Sequence, residues 1–133
     1  MNQRPDQWLR NALRGNAAFS TISGAAFALA STPIATYLGV SPTWLVSATG
    51  VGLVGFAAWL VWLASRPEVP ATEVKLVIGG DLAWVVLSGL ALITGVLRAE
   101  STLAVLLVAD AVLIFAALQA WGLRRAGRTP LAS

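Results

Sequence analysis

Four long apolar runs separated by short polar stretches set the pattern of this chain. They lie at about residues 11–31, 43–64, 74–97 and 102–123. Each approaches the roughly 20 residues that a helix needs to cross a bilayer. The second run is uncharged throughout, whereas the first is the weakest, interrupted by Asn16, Ser20, Thr21 and Ser23. The stretches between them carry helix punctuation. Pro5 is placed to open a helix, and Trp8, Leu9, Ala12 and Leu13 then share one face. Thr32-Pro33 opens a short outer segment, IATYLGV, that Gly39 is placed to end. Ser41-Pro42 reads as an N-cap followed by proline at the first helical position. SRPEVPATEVK is a polar turn, and Arg98-Ala99-Glu100-Ser101 a tight one with Ser101 as N-cap. The basic tail RRAGRTPLAS is expected to fray. The pattern predicts an all-α fold: one integral membrane domain over 1–133, built as a four-helix transmembrane bundle.

Composition strengthens the membrane reading. The chain is 57% hydrophobic and 11% charged, against about 25% charged in a soluble domain, and its mean hydropathy is +0.76. Without cysteine or histidine, disulfides, Cys/His metal sites, thiol nucleophiles and a histidine base are excluded. No cofactor or metal is implied, and the chain is not expected to be an enzyme. Nucleic acid is rejected as a partner despite a pI near 10.7, because the net charge is only +3 and the basic residues flank apolar runs.

Charge then orients the spans. With both termini inside, the cytoplasmic segments hold Arg4, Arg10, Arg14, Arg66, Lys75, Arg124, Arg125 and Arg128, and the outer loops only Arg98. Trp8, Trp62 and Trp121 fall near the inner interface and Trp44 near the outer one. An alternative treats the start as a secretion signal, with Ala28-Leu29-Ala30 before Ser31 as a cleavage pattern. Against it, the segment is repeated. NAAFSTISGAAFALA from Asn16 aligns with DLAWVVLSGLALITG from Asp81, and FAAWLVWLASR from Phe56 with FAALQAWGLRR from Phe115. A duplicated hairpin would relate the halves by a pseudo-twofold along the membrane normal.

An acid within a span is a functional-site hypothesis by default, and there are two, Asp81 and Asp110. At 1.5 Å rise per residue, Asn16 and Asp81 both lie roughly 9 Å deep, and Ser23, Ser88 and Asp110 roughly 20 Å deep. This predicts an inner polar layer of Asn16 and Asp81 and a middle layer of Ser23, Ser88 and Asp110. No basic residue lies at either depth, and Arg14, snorkelling toward Asp81, is the basic partner on offer. Gln119 lies opposite Asp110 on its helix and is left out of both layers. Two readings follow. Either the polar groups glue helices together, or Asp81 and Asp110 exchange a proton or cation on a transport pathway.

Gly50-Val51-Gly52-Leu53-Val54-Gly55 spells a dinucleotide fingerprint, but the glycines lie mid-span with no preceding strand and no acid until Glu68. Ala48, Gly52 and Gly55 read instead as a small-residue face for close helix packing, and as the candidate interface of a homo-oligomer. The segments LRGNAAFSTISG, GVGLVGFAAWLVWLASRP and GGDLAWVVLSG resemble small four-helix bacterial inner-membrane proteins, many without an assigned function. The R…FS…SG pattern is more faintly similar to DoxX-like four-helix proteins. The small multidrug resistance family shares size and span count, but its working Glu lies in the first helix, where this chain has no acid. The resemblance implies a multi-pass inner-membrane protein and transfers no site residues. The expected function is that of an accessory or structural membrane protein. The alternative is a small proton- or cation-coupled transporter or channel subunit. Its partners would be the lipid bilayer and a second copy or a larger membrane complex.

Overall fold

The structure, a computed structural model, describes residues 6–128. Arg4, Pro5 and the tail beyond Arg128 lie outside the described residues. The fold is all-α: α1 (Gln7–Leu29), α2 (Ser31–Leu38), α3 (Trp44–Ser65), α4 (Ala71–Thr94) and α5 (Thr102–Arg128), with a single 3-10 turn, Ala99–Ser101, before α5. Three helices are long and apolar enough to cross a membrane, or four if α1 and α2 count as one broken span.

The break falls two residues before the expected end of the first span at Ser31, next to the Thr32-Pro33 expected to open a short outer segment. α1 ends at Leu29, and α2 leaves it at 95°. In a continuous helix the Pro33 ring would clash with the Leu29 carbonyl and lack its own N–H. In a new helix Pro33 sits in the first turn, where no N–H is required. Gly39 ends α2 as expected, in the left-handed conformation at φ 77°. α2 is then latched over the α4–α5 turn. The Arg98 N–H donates to Leu38 O at 2.8 Å, and Tyr37 Oη donates to Glu100 O at 3.1 Å. Two predicted caps are not formed. α3 starts at Trp44, flanked by Thr43 with no side-chain cap, so Ser41 is not its N-cap. The Ser101 hydroxyl donates back to Arg98 O at 2.8 Å, serving the turn and not the helix.

α1, the most polar of the long helices, is the central one. It packs along α3 on one side and α5 on the other, and α5 packs on α4. Consecutive α3 and α4 do not pack backbone to backbone along their length. They meet at the end where α1 begins, where Leu60, Leu63 and Ala64 of α3 share the core with Val74 and Val77 of α4 and Leu9, Leu13 and Ala17 of α1. Glu73 adds an acceptor for Trp59 Nε1 at 3.3 Å and an ion pair with Arg66 at 3.5 Å. Outward-facing Val51, Val61, Leu76, Val86, Leu90, Ile93, Leu107 and Ile114 are exposed, while Asn16, Ser20, Asp81 and Gln119 are buried. This apolar-out, polar-in distribution matches lipid as the solvent.

The close approach of α1 and α3 rests on Gly24 and Gly50. A Cβ at Gly50 would lie 2.6 Å from Gly24 O and 2.6 Å from the Ala28 nitrogen. Gly52 and Gly55 meet nothing within 4 Å, and Ala48 is exposed. The predicted small-residue face therefore points away from the bundle, and the glycine that packs is the neighbouring Gly50. We expect Gly50→Leu to force α1 and α3 apart and cost about 1–3 kcal/mol or more, whereas Gly52→Leu leaves stability within about 1 kcal/mol. Unfolding midpoints of the two variants in mixed micelles check this. Equal destabilisation by both would refute the assigned crossing.

Candidate functional site

Helical spacing builds a polar junction at one level of the bundle. On α4 the buried line is Val74, Val77 and Asp81. On α1 it is Leu9, Leu13, Asn16, Ala17, Ser20 and Gly24. On α5 it is Ala109, Val112, Ala116 and Gln119. Asn16 Nδ2 donates to Asp81 Oδ2 at 2.9 Å and to Gln119 Oε1 at 2.8 Å. Gln119 Nε2 donates to the same Asp81 Oδ2 at 2.8 Å, closing a ring across α1, α4 and α5. Ser20 Oγ donates to Asn16 Oδ1 at 3.3 Å and holds the amide in place. Both amides serve Oδ2, and Asp81 Oδ1 receives no hydrogen bond among the described residues.

The structure thus brings Asn16 and Asp81 together, as the shared depth predicted, and adds Gln119, which the sequence reading left out. The middle layer does not form. Asp110 is exposed on the outer face of α5, Ser23 lines one cavity, and Ser88 lines another. Residues nine apart on a helix are half a turn out of phase, so Gln119 facing inward turns Asp110 outward. Two signals in the sequence favoured Gln119. Counted from Leu123 it lies roughly 6 Å deep, in the layer of Asn16. The line Ala109, Ala116 and Gly122 also marks its side of α5 as the one able to approach another helix. Gly122 does so, a Cβ there falling 2.8 Å from Leu9 Cα.

Arg14 does not reach Asp81. It is exposed, with Nη1 3.4 Å from Asn11 Oδ1. The arginine that matters is Arg10, only 3% exposed. Its Nη1 donates to Ala64 O at 2.8 Å and Arg66 O at 2.6 Å, and its Nη2 to Pro67 O at 2.9 Å. These carbonyls end α3 and have no helical partner, and the cation also faces the negative end of the helix dipole. Asp6 balances its charge at 2.7 Å. Arg10 thereby fixes the start of α1 against the end of α3.

Above the junction lies a cavity of about 220 Å³, whose walls include Asn16, Ser20, Asp81, Phe19, Phe56 and Trp84. A wider one of about 440 Å³ adjoins it toward α2, sharing Phe27, Trp84 and Val108. Both occupy the space that α3 and α4 leave by not packing. Trp84 lines both, and its Nε1 is buried with no hydrogen-bond acceptor among the described residues.

No protein-family model, curated protein or solved structure matches the chain.

Removing Gln119 strands two polar groups at once. Gln119→Leu takes a donor from Asp81 and an acceptor from Asn16, at an expected cost of roughly 1–3 kcal/mol. Adding Asn16→Leu should cost less than the sum of the separate changes, since the second loss no longer leaves an unpaired amide. A double-mutant cycle on reversible unfolding measures the coupling, and strict additivity would refute the closed ring.

Proposed function

We propose that the chain is a small multi-pass protein of the bacterial inner membrane, a four-helix transmembrane bundle with α1 and α2 forming one broken span and both termini cytoplasmic. It acts without enzymatic activity, as an accessory or structural membrane protein whose polar junction specifies packing. The observation that carries this reading is the Asn16–Asp81–Gln119 ring. Each member comes from a different helix, and each is buried. Leaving such a group unpaired in hydrocarbon is costly, so the ring selects one register of α1, α4 and α5 over alternatives that are equally apolar.

The orientation is supported by the basic side chains. Arg10 binds the end of α3, Arg66 stacks 4.7 Å from the Trp62 ring, and Arg125 5.0 Å from Trp121. These pairs form the arginine and tryptophan anchors of an interface. The partner in this reading is a second copy or a subunit of a larger membrane complex. Asp110 on the exposed face of α5, and the uncovered Ala48, Gly52 and Gly55 on α3, are surfaces that lipid alone serves poorly. Resemblance to small four-helix inner-membrane proteins belongs to the same proposal.

Proton- or cation-coupled transport through Asp81 and Asp110 is the second reading. The cavity that reaches Asp81 favours it. The outward placement of Asp110 gives the two acids no shared path within one chain.

Two measurements separate these possibilities. The chain has no cysteine, so single-cysteine labelling has no background. Glu68→Cys should react with an impermeant maleimide only after permeabilisation of spheroplasts, and Ala99→Cys in intact ones; the reverse pattern would overturn the orientation. In proteoliposomes the wild-type chain should pass protons and monovalent cations no faster than the lipid leak. A flux abolished by Asp81→Asn would replace the structural reading with transport.

A further inference from the structure

The polar ring satisfies one acid of the apolar helices and leaves the other out. Asp110 is exposed on the outer face of α5 and makes no hydrogen bond or ion pair among the described residues. Along α5 it lies roughly 12 Å from Thr102 and roughly 20 Å from Leu123. Its side chain is too short to carry the carboxyl out of hydrocarbon at either end. An ionisable group that faces lipid at this depth is costly, and such groups face a protein neighbour instead.

The positions around Asp110 form a pattern. Leu103, Leu107, Asp110, Ile114, Ala117 and Trp121 follow one another at steps of 4, 3, 4, 3 and 4 residues, and all six are exposed. Alternating steps of 3 and 4 are the repeat of a left-handed coiled-coil seam, the commonest way in which membrane helices pack. The buried line of Ala109, Val112, Ala116 and Gln119 runs along the other side of α5. The seam is about 27 Å long, and Asp110 is its one polar member.

We propose that this face of α5 is the contact with a second copy of the chain, with the two Asp110 carboxyls hydrogen-bonded to each other at its centre. The proposal deepens the partner reading above and rests on the membrane placement. Copies inserted by the same charge bias lie parallel, so a twofold axis along the membrane normal sets each seam residue beside its own counterpart at equal depth. Asp110 then meets Asp110. A carboxyl that carries its proton can donate, and one that does not can accept, so two carboxyls with a proton between them satisfy each other. A single polar position within an apolar seam also fixes the register, since a slip would set each carboxyl against leucine or isoleucine. The seam ends at Trp121, just before the exposed Arg124, where like charges keep the basic ends of the two copies apart. The small-residue face of α3 leaves no polar group in need of a partner, and α5 does.

The test uses the full chain in proteoliposomes with lipid in large excess. The chain has no cysteine, so each single-cysteine variant reports one position. With copper phenanthroline as oxidant, Leu107→Cys and Ile114→Cys should form disulfide-linked dimers. Val86→Cys on α4, exposed and at similar depth, and Gly52→Cys on α3 should stay monomeric. Energy transfer between chains labelled at Ala99→Cys then gives the dimer dissociation constant as lipid is added. Asp110→Leu should raise that constant roughly tenfold. Asp110→Asn, whose amide is also donor and acceptor, should restore most of the affinity, and neither change should alter helix content. Cross-linking at Gly52→Cys alone, equal cross-linking at Val86→Cys, or undiminished association in Asp110→Leu would each overturn the proposal. A monomer in pure lipid would overturn it too, and would assign the face to a different protein that brings its own basic or amide side chain. A chain that resists alkaline extraction yet stays monomeric refutes the pairing alone. Release by alkali refutes the membrane placement and the pairing with it.

Discussion

A carboxyl group buried among helices long and apolar enough to cross a membrane must find its donors inside the fold, and the arrangement around Asp81 follows from that. Asp81 must be met by donors, and two of them, on Asn16 and Gln119, are carried by helices that would otherwise slide and rotate freely past α4. Apolar side chains facing lipid give little preference among rotations, because lipid tails are as apolar as leucine. The hydrogen-bonded ring supplies the preference. Once Gln119 turns inward, the Ala109–Val112–Ala116 line follows, Asp110 turns outward, and α5 lies against both α1 and α4.

Arg10 makes the matching constraint at the basic end. A helix end in or near hydrocarbon leaves carbonyls without partners, and the guanidinium answers three of them, at Ala64, Arg66 and Pro67. Because Arg10 is on α1, the same bonds that terminate α3 also set the height of α1. Asn16 is then carried to the level of Asp81. The two polar sites are therefore coupled through one helix, which explains why the least apolar of the long helices is the central one.

Much of this was readable in the residues, for definite reasons. The helices follow from runs of apolar residues and, for α2, from Gly39, which stops it in the left-handed conformation; Gly95 does the same for α4, three residues short of the expected end at Leu97. The meeting of Asn16 and Asp81 followed from equal depth in two spans running the same way. What the sequence withheld was the rotation of α3 and α5. α3 is apolar on every side, so no face declares itself, and glycine spacing alone did not separate Gly50, which packs, from Gly52 and Gly55, which do not. On α5 two polar residues half a turn apart competed for the interior. The acid was the more conspicuous candidate, but the amide has both the donor that Asp81 needs and the acceptor that Asn16 needs. The caps assigned to Ser41 and Ser101 failed because a side chain's capacity to cap says nothing about how the preceding turn directs it.

The crevice follows from the distribution of small residues. A duplicated hairpin would make the α3–α4 contact the counterpart of the α1–α5 contact, but the two differ. α1 and α5 come together where Gly122 lets α5 against Leu9 and where Gly15 sits under the Phe115 ring. Between α3 and α4 lies the cavity, lined by Leu53 and Phe56 of α3 and by Gly80, Asp81 and Trp84 of α4, and a Cβ at Gly80 would meet nothing within 4 Å. α1 and α5 pack against each other, whereas α3 and α4 do not pack backbone to backbone along their length. The opening adjoins the Asn16–Asp81–Gln119 junction. Asp81 belongs to both, held by the ring through Oδ2 and lining the cavity as well.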